Sequence, residues 1–134
     1  MAHSYVDFRE TSFRTHDLDL TIACILILEK SNAVANSKLQ PMFKHWMESL
    51  TTGGSGCIDL ELDRYLTDTD SIEMLAELID SVDHDLANET SEFCPKEKLN
   101  LALAIAKIHL ANDYKVALIK DVLHKLRSLV KPNA

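Results

Sequence analysis

Apolar residues recur along much of this chain at the spacing of α-helices. Between Met42 and Leu50 the large apolar side chains stand three and four residues apart, and Pro41 before them suits the first turn of a helix. From Ile72 to Leu86 the apolar positions advance by steps of 3, 4, 3 and 4, which places them on one face. We therefore predict amphipathic helices over both segments.

The N-terminal part of the chain has a different pattern. Residues 1–16 show no sustained period, so we predict an irregular arm packed onto the body. Residues 18–30 are apolar almost all round, as in a central helix that Asp17 can cap, and the β-branched residues in 18–28 leave a buried strand as the alternative. Residues 59–66 admit a short helix.

Capping residues predict where two later helices begin. Asp70, with Glu73 three residues later, resembles a capping box, so a helix is predicted to start there. Pro95 opens another helix that runs to about Ala111. The Leu and Ala content of this second helix predicts that it is the most enclosed helix of the fold.

The last helix is predicted to begin at Asn112 or Asp113 and to end at Pro132. Its predicted inner face consists of Tyr114, Leu118, Val122, Leu126 and Leu129.

Composition supports a helical protein. Only 3 Gly and 3 Pro occur among 134 residues, of which 46% are hydrophobic, and the glycines all fall in the Gly-rich loop 51–58. We therefore predict an all-α fold, a compact single-domain bundle of five to six helices over residues 1–134. The residues predicted for its core are Leu26, Trp46, Leu75, Ile79, Ile105, Leu118 and Val122.

The sequence predicts a cytoplasmic protein. Its N-terminus has neither a basic region nor the apolar run of a secretory signal. The most apolar run, Leu18 to Leu28, is short of the roughly 20 residues that span a bilayer. The 3 cysteines are odd in number and form no Cys-x-x-Cys motif, so we expect reduced thiols and no membrane association.

The acidic and basic residues occupy different parts of the chain. The net charge is −7, but residues 59–92 hold 12 acids and 1 base, a formal charge of −11. Residues 93–134 hold 8 bases and 3 acids, a formal charge of +5. An acidic chain of this kind is not expected to bind nucleic acid through a general basic surface.

Helical spacing arranges these charges in two stripes. The acidic stripe is Glu73, Glu77, Asp80 and His84, and the basic stripe is Lys120, His124, Arg127 and Lys131. One interpretation is that the stripes pair with each other, within one chain or across a homodimer. The other is that the acidic surface binds a basic protein, as polyanion-mimicking inhibitors, immunity proteins and antitoxins do.

The second interpretation is the functional prediction. The chain is predicted to be a non-enzymatic protein-interaction module, a small bacterial inhibitor or immunity-type protein with a basic partner. Its predicted partner-binding residues are Asp68, Asp70, Glu73, Glu77, Asp80 and His84. A helical structural or dimerisation domain is an alternative.

Three further features of the sequence bear on other kinds of chemistry. The run Asp70-Ser71-Ile72-Glu73 resembles the Asp-Ser-Leu element of acyl carrier proteins, which implies phosphopantetheine on Ser71 as an alternative function. Cys57, after the glycines, would be the nucleophile of an enzyme, but no histidine is paired with it in the sequence. A metal site on the acidic stripe lacks the facing Glu-x-x-His that helical bundles use. No catalytic residue, cofactor or metal is therefore predicted.

Overall fold

Helices dominate the fold, but strands are present as well. The structure is a computed structural model and describes residues 3–32, 38–52, 58–88 and 92–132. In these ranges 66% of the residues are helical, and two antiparallel sheets of two strands each accompany the helices. The elements in chain order are β1 (His3–Phe8), β2 (Thr11–His16), α1 (Asp17–Asn32), α2 (Gln40–Thr52), α3 (Leu62–Tyr65), α4 (Thr69–Ala87), β3 (Phe93–Cys94), α5 (Lys96–Leu103), a 3₁₀ segment (Ala104–Ala106), β4 (Tyr114–Lys115) and α6 (Val116–Val130). The all-α prediction is therefore wrong.

The N-terminal arm is a β-hairpin, which corrects the prediction of an irregular segment. Ser4, Val6 and Phe8 of β1 are buried while Tyr5 and Asp7 between them are exposed, as the alternation of a half-buried strand requires. Arg9 and Glu10 form the connection, with φ of 48° and 70°. Positive φ at both positions is typical of a type I′ turn, for which Asn-Gly is the usual signal. The Arg-Glu pair carries no such signal, so the hairpin was missed.

Helix α1 is the centre of the fold. It spans Asp17–Asn32, so the helical prediction for 18–30 is confirmed and the strand alternative is wrong. Ten of its residues are buried, and it contacts α2, α4, α5 and α6. A helix surrounded on most sides needs apolar residues all round, which explains the absence of an amphipathic pattern.

Helix α4 begins two residues before the predicted start. Its N-cap is Asp68, whose Oδ1 accepts a hydrogen bond from the Ser71 amide at 2.8 Å. The Asp68 amide donates in return to Ser71 Oγ at 3.4 Å. The capping box is therefore formed by Asp68 and Ser71, and Asp70 lies in the first turn instead of capping it.

Helix α5 is shorter and more peripheral than predicted. It ends at Leu103, and the 3₁₀ segment after it stops at Lys107, which has a φ of 58°. The Asn100 side chain holds the segment after the 3₁₀ turn against α5. Its amide donates to Leu110 O at 3.1 Å, and its Oδ1 accepts from the Leu110 amide at 2.6 Å. Leu101 is 84% exposed. The prediction of a long, most enclosed helix is therefore wrong.

Helix α6 starts after Lys115, and its inner face includes Val122 and Leu126 of the predicted face but not Leu118. Its buried residues are Val116, Ile119, Val122, Leu123, Leu126 and Val130. Leu118 lies next to the centre of this face and is 43% exposed. Asp113 does not cap α6, since its Oδ1 accepts from the amide of Lys96 in α5 at 2.9 Å.

Buried residues from the hairpin and from all six helices form one hydrophobic cluster. Of the predicted core, Trp46, Leu75, Ile79 and Val122 are buried and Leu26 is partly buried, but Ile105 and Leu118 are exposed.

In the Gly-rich loop, residues 53–57 lie outside the described ranges, and α2 extends to Thr52. The assignment of 1–134 to one domain stays a prediction. Over the described residues, no helix has both the length and the apolarity that a bilayer span requires.

Candidate functional site

Helices α4 and α6 pack side by side, and ion pairs join them, two between the charged stripes and others from the basic stripe to Asp83. Lys131 Nζ lies 3.5 Å from Glu73 Oε1, and Arg127 Nε lies 3.0 Å from Asp80 Oδ1. Lys120 Nζ lies 3.0 Å from an oxygen of Asp83. The structure therefore pairs the two stripes within one chain.

Asp83 takes a second basic neighbour, because His124 Nε2 lies 3.1 Å from the same oxygen that Lys120 contacts. Partial burial of Asp83 opposes its ionisation, but the hydrogen bonds from Lys120 and His124 outweigh burial and lower the pKa of the carboxyl. Sequence reasoning left Asp83 out of the candidate set. The signal for it was its position three residues after Asp80, on the side of α4 that meets the basic stripe.

Two candidate acids at the start of α4 share one lysine. Lys38 Nζ lies 2.8 Å from Asp68 Oδ2 and 3.7 Å from Asp70 Oδ2. The Lys38 contact and the hydrogen bonds from Ser71 lower the pKa of Asp68 to about 2, and the Asp68 contact raises the pKa of Lys38. Asp68 is thus occupied both as a helix cap and as an ion-pair partner.

The remaining candidates lie on a different line along α4. Asp70, Glu77 and His84 are seven residues apart, which is close to two helical turns, and all three are exposed. In the described part of the chain neither Glu77 nor His84 has a charged partner. We call Asp70, Glu77 and His84 the outer row; these three members of the predicted partner-binding set have no ion pair with α6, and Asp70 lies near Lys38.

The alternative functions considered from the sequence depend on Ser71, on Cys57 or on a metal site. Ser71 is 2% exposed, and its hydroxyl donates to Asp68 O at 2.9 Å while it closes the capping box. A modifying enzyme needs that hydroxyl to be accessible, so this placement does not favour the carrier function. Cys57 lies outside the described residues. In the ranges that are described, no three His, Cys, Asp or Glu side chains are arranged to hold a metal ion.

A second group of polar residues, at the junction of β2 and α1, was missed by sequence reasoning. The Tyr114 hydroxyl donates to Oδ1 of the buried Asp19, 95 positions away along the chain. Burial and this bond raise the pKa of Tyr114 above its usual range. The His3 and His16 rings lie nearby with centroids 4.1 Å apart. No spacing in the sequence relates these residues, since each comes from a separate element.

A scan against protein-family models, a search of curated proteins and a search of solved structures each returned no match. The function proposed below is therefore argued from the charges and contacts of this chain.

Proposed function

We propose that the chain is a non-enzymatic protein-interaction module, a small inhibitor or immunity-type protein, which binds a basic partner through the outer row of α4. The observation that carries this proposal is the position of Glu77. It is exposed on the side of α4 away from the core, seven residues from Asp70, and no cation of the described chain pairs with it. The proposal retains the cytoplasmic location expected from the sequence.

The pairing between α4 and α6 supports the outer row as the binding surface. Glu73 and Asp80 already have cationic partners in Lys131 and Arg127, so a basic partner would have to displace those contacts to use them. Glu77 needs no such exchange in the described chain, and Asp70 would have to share only the Lys38 contact at 3.7 Å. The paired charges around the outer row add little net field, so we expect the attraction for a basic protein to be strongest at Glu77 and weaker at Asp70, which lies near Lys38.

The test is a charge reversal of the outer row. The double variant Asp70→Lys with Glu77→Lys should weaken capture of the basic partner by about tenfold or more, because like charges would face it. The measurement is quantitative capture from a lysate of the source cells on immobilised protein, with elution by a salt gradient. A supporting result is one basic protein that wild type retains and that salt releases.

The matched control is Glu29→Lys with Glu97→Lys, which changes the charge equally on exposed positions of α1 and α5. This control should retain the partner. Equal retention by the outer-row variant and by wild type would overturn the proposal, as would equal loss from both double variants. Circular dichroism of each variant checks that α4 remains folded.

Self-association stays a prediction for this chain. Leu101 of α5 is 84% exposed and Ile105 of the 3₁₀ segment is 52% exposed, so this part of the chain presents a small apolar surface. The surface area that two side chains can bury is well below the roughly 800 Å² per partner that stable interfaces bury. The outer row therefore remains the better supported surface.

A further inference from the structure

Lys38 lies where a cation of the partner would bind at the N-terminal end of the outer row. Its Nζ is 2.8 Å from Asp68 Oδ2 and 3.7 Å from Asp70 Oδ2, so one ammonium group spans two of the predicted partner-binding acids. A basic protein that uses Asp70 would bring its own cation to the same place. The chain therefore supplies a competitor for part of its own binding surface.

The fold holds both sides of this contact in place. Leu39, the residue after Lys38, is buried, and its carbonyl oxygen accepts a hydrogen bond from the Phe43 amide at 3.0 Å. On the other side, Asp68 is the N-cap of α4 and accepts from the Ser71 amide. Only the side chain of Lys38 has to be ordered when the contact forms. The entropy cost is therefore smaller than for a cation that arrives from solution.

The contact is also open to exchange. The side chain of Asp70 is 80% exposed, and those of Lys38 and Asp68 are exposed to a lesser degree. Exposed ion pairs are weak because water and salt screen them. A partner can therefore displace the ammonium group of Lys38 without opening the packing around Leu39.

Lys38 opposes a partner even where it is not displaced. A cation that pairs with Asp70 would lie within roughly 9 Å of Lys38 Nζ, which is inside the ~10 Å over which charges interact at 0.1 M salt. The two cations would repel each other. Glu77 lies roughly 10 Å further along α4, so the repulsion there is weaker.

We propose that Lys38 is an autoinhibitory contact of the outer row, which lowers the affinity for a basic partner until the partner displaces it. The inference rests on the proposed function, because it concerns the same surface. It also favours a partner that presents an arginine at this place. A guanidinium donates two parallel hydrogen bonds to a carboxylate, whereas a second ammonium group only repeats the contact that Lys38 already makes.

The experiment measures the affinity of a fluorescein-labelled hexa-arginine peptide by fluorescence anisotropy at low salt. Lys38→Gln should bind the peptide about two- to fivefold more tightly than Lys44→Gln, because it frees the carboxylates at the start of α4. Lys44→Gln is the matched control, since it removes the same charge from an exposed position of α2 that has no ion pair in the described chain. Comparing the two variants cancels the change in net charge.

Two further measurements test the cause of the difference. In about 1 M sodium chloride the two variants should bind alike, because salt at that concentration screens charges beyond roughly 3 Å. A hexa-lysine peptide should bind wild type more weakly than hexa-arginine does. Circular dichroism of each variant checks that the helices are retained.

The outcomes separate this inference from the proposed function. Equal affinity of Lys38→Gln and Lys44→Gln, with binding lost in Asp70→Lys with Glu77→Lys, would overturn the autoinhibitory contact and leave the proposed function standing. Equal binding by wild type and by that double variant would overturn both. A gain in Lys38→Gln that persists unchanged at high salt would overturn the electrostatic competition.

Discussion

Helices α5 and α6 both pack against α1, yet they present opposite outer surfaces. Helix α6 directs Arg127 and Lys131 toward carboxylates of α4, so its flank is polar and tied to a neighbour. Helix α5 directs Leu101 into solvent, and its Asn100 side chain hydrogen bonds to the backbone of Leu110. Leu and Ala content therefore did not identify a buried helix in α5, whereas the all-round apolar surface of α1 and the periodic stripe of α6 did identify buried elements.

The largest expected effect compares one leucine from each helix. Leu126, on the inner face of α6, is fully buried, so Leu126→Ala should lower the free energy of unfolding by about 2–5 kcal/mol. The same change at Leu101 removes a side chain that is 84% exposed and should alter it by less than about 0.5 kcal/mol. Urea unfolding at neutral pH measures both. Similar costs for the two variants would contradict the peripheral placement of α5.

A smaller effect tests what holds α5 in place. Asn100→Ala removes both hydrogen bonds to Leu110 and should cost about 1–3 kcal/mol, because the partly buried amide and carbonyl of Leu110 lose their partner. Hydrogen exchange at the Leu110 amide should accelerate in the same variant.

Asn112→Ala is the control for this prediction, since Asn112 is exposed and has no hydrogen bond to the described chain. It should leave both the stability and the Leu110 exchange rate near wild type. Unchanged exchange in Asn100→Ala would show that the turn is held by other contacts.

The smallest expected effect concerns the ion pairs of α6. Asp83→Asn should lower the free energy of unfolding by up to about 1 kcal/mol at neutral pH, because Lys120 and His124 lose a shared carboxylate. The folded chain lowers the pKa of Asp83, so this stabilisation is present above the unfolded value near 3.8 and disappears as the pH falls through the folded value.

Urea unfolding of wild type and Asp83→Asn across this pH range measures the difference. Asp121→Asn is the control, because its partner Lys125 lies one turn away on the same helix and links no second element. It should cost no more than about 0.5 kcal/mol. A stability difference for Asp83→Asn that persists at the lowest pH would argue against the ion pairs as its cause.

The sequence predicted the strongly periodic elements well and the local turns poorly. The helices around Trp46 and Leu75 are confirmed, since a repeated apolar spacing is set by the core itself. The hairpin was missed because Arg9 and Glu10 adopt a turn that their residue types do not signal. The length of α5 was overestimated because the helix ends at Leu103, beside the hydrogen bonds of Asn100 with Leu110, 10 positions further along the chain.

The sequence left open whether the charged stripes pair with each other, within one chain or across a homodimer, or whether the acidic stripe binds a partner. Spacing within each helix could not decide whether the stripes meet in one chain, because that depends on how α4 and α6 pack. The structure pairs Glu73 and Asp80 with α6 and leaves Glu77 outside. Two of the four residues of the acidic stripe therefore have a structural role as ion-pair partners of α6. The structure adds the outer row as the surface on which the partner-binding hypothesis now rests.

Trp46 gives the chain a built-in optical probe. It is the only tryptophan among 134 residues, it is fully buried, and its Nε1 donates to Leu60 O at 3.0 Å. Its emission therefore originates from one place, where α2 meets the segment leading to α3. A shift of the fluorescence maximum to longer wavelength records water reaching that contact, so each variant can be followed without a label.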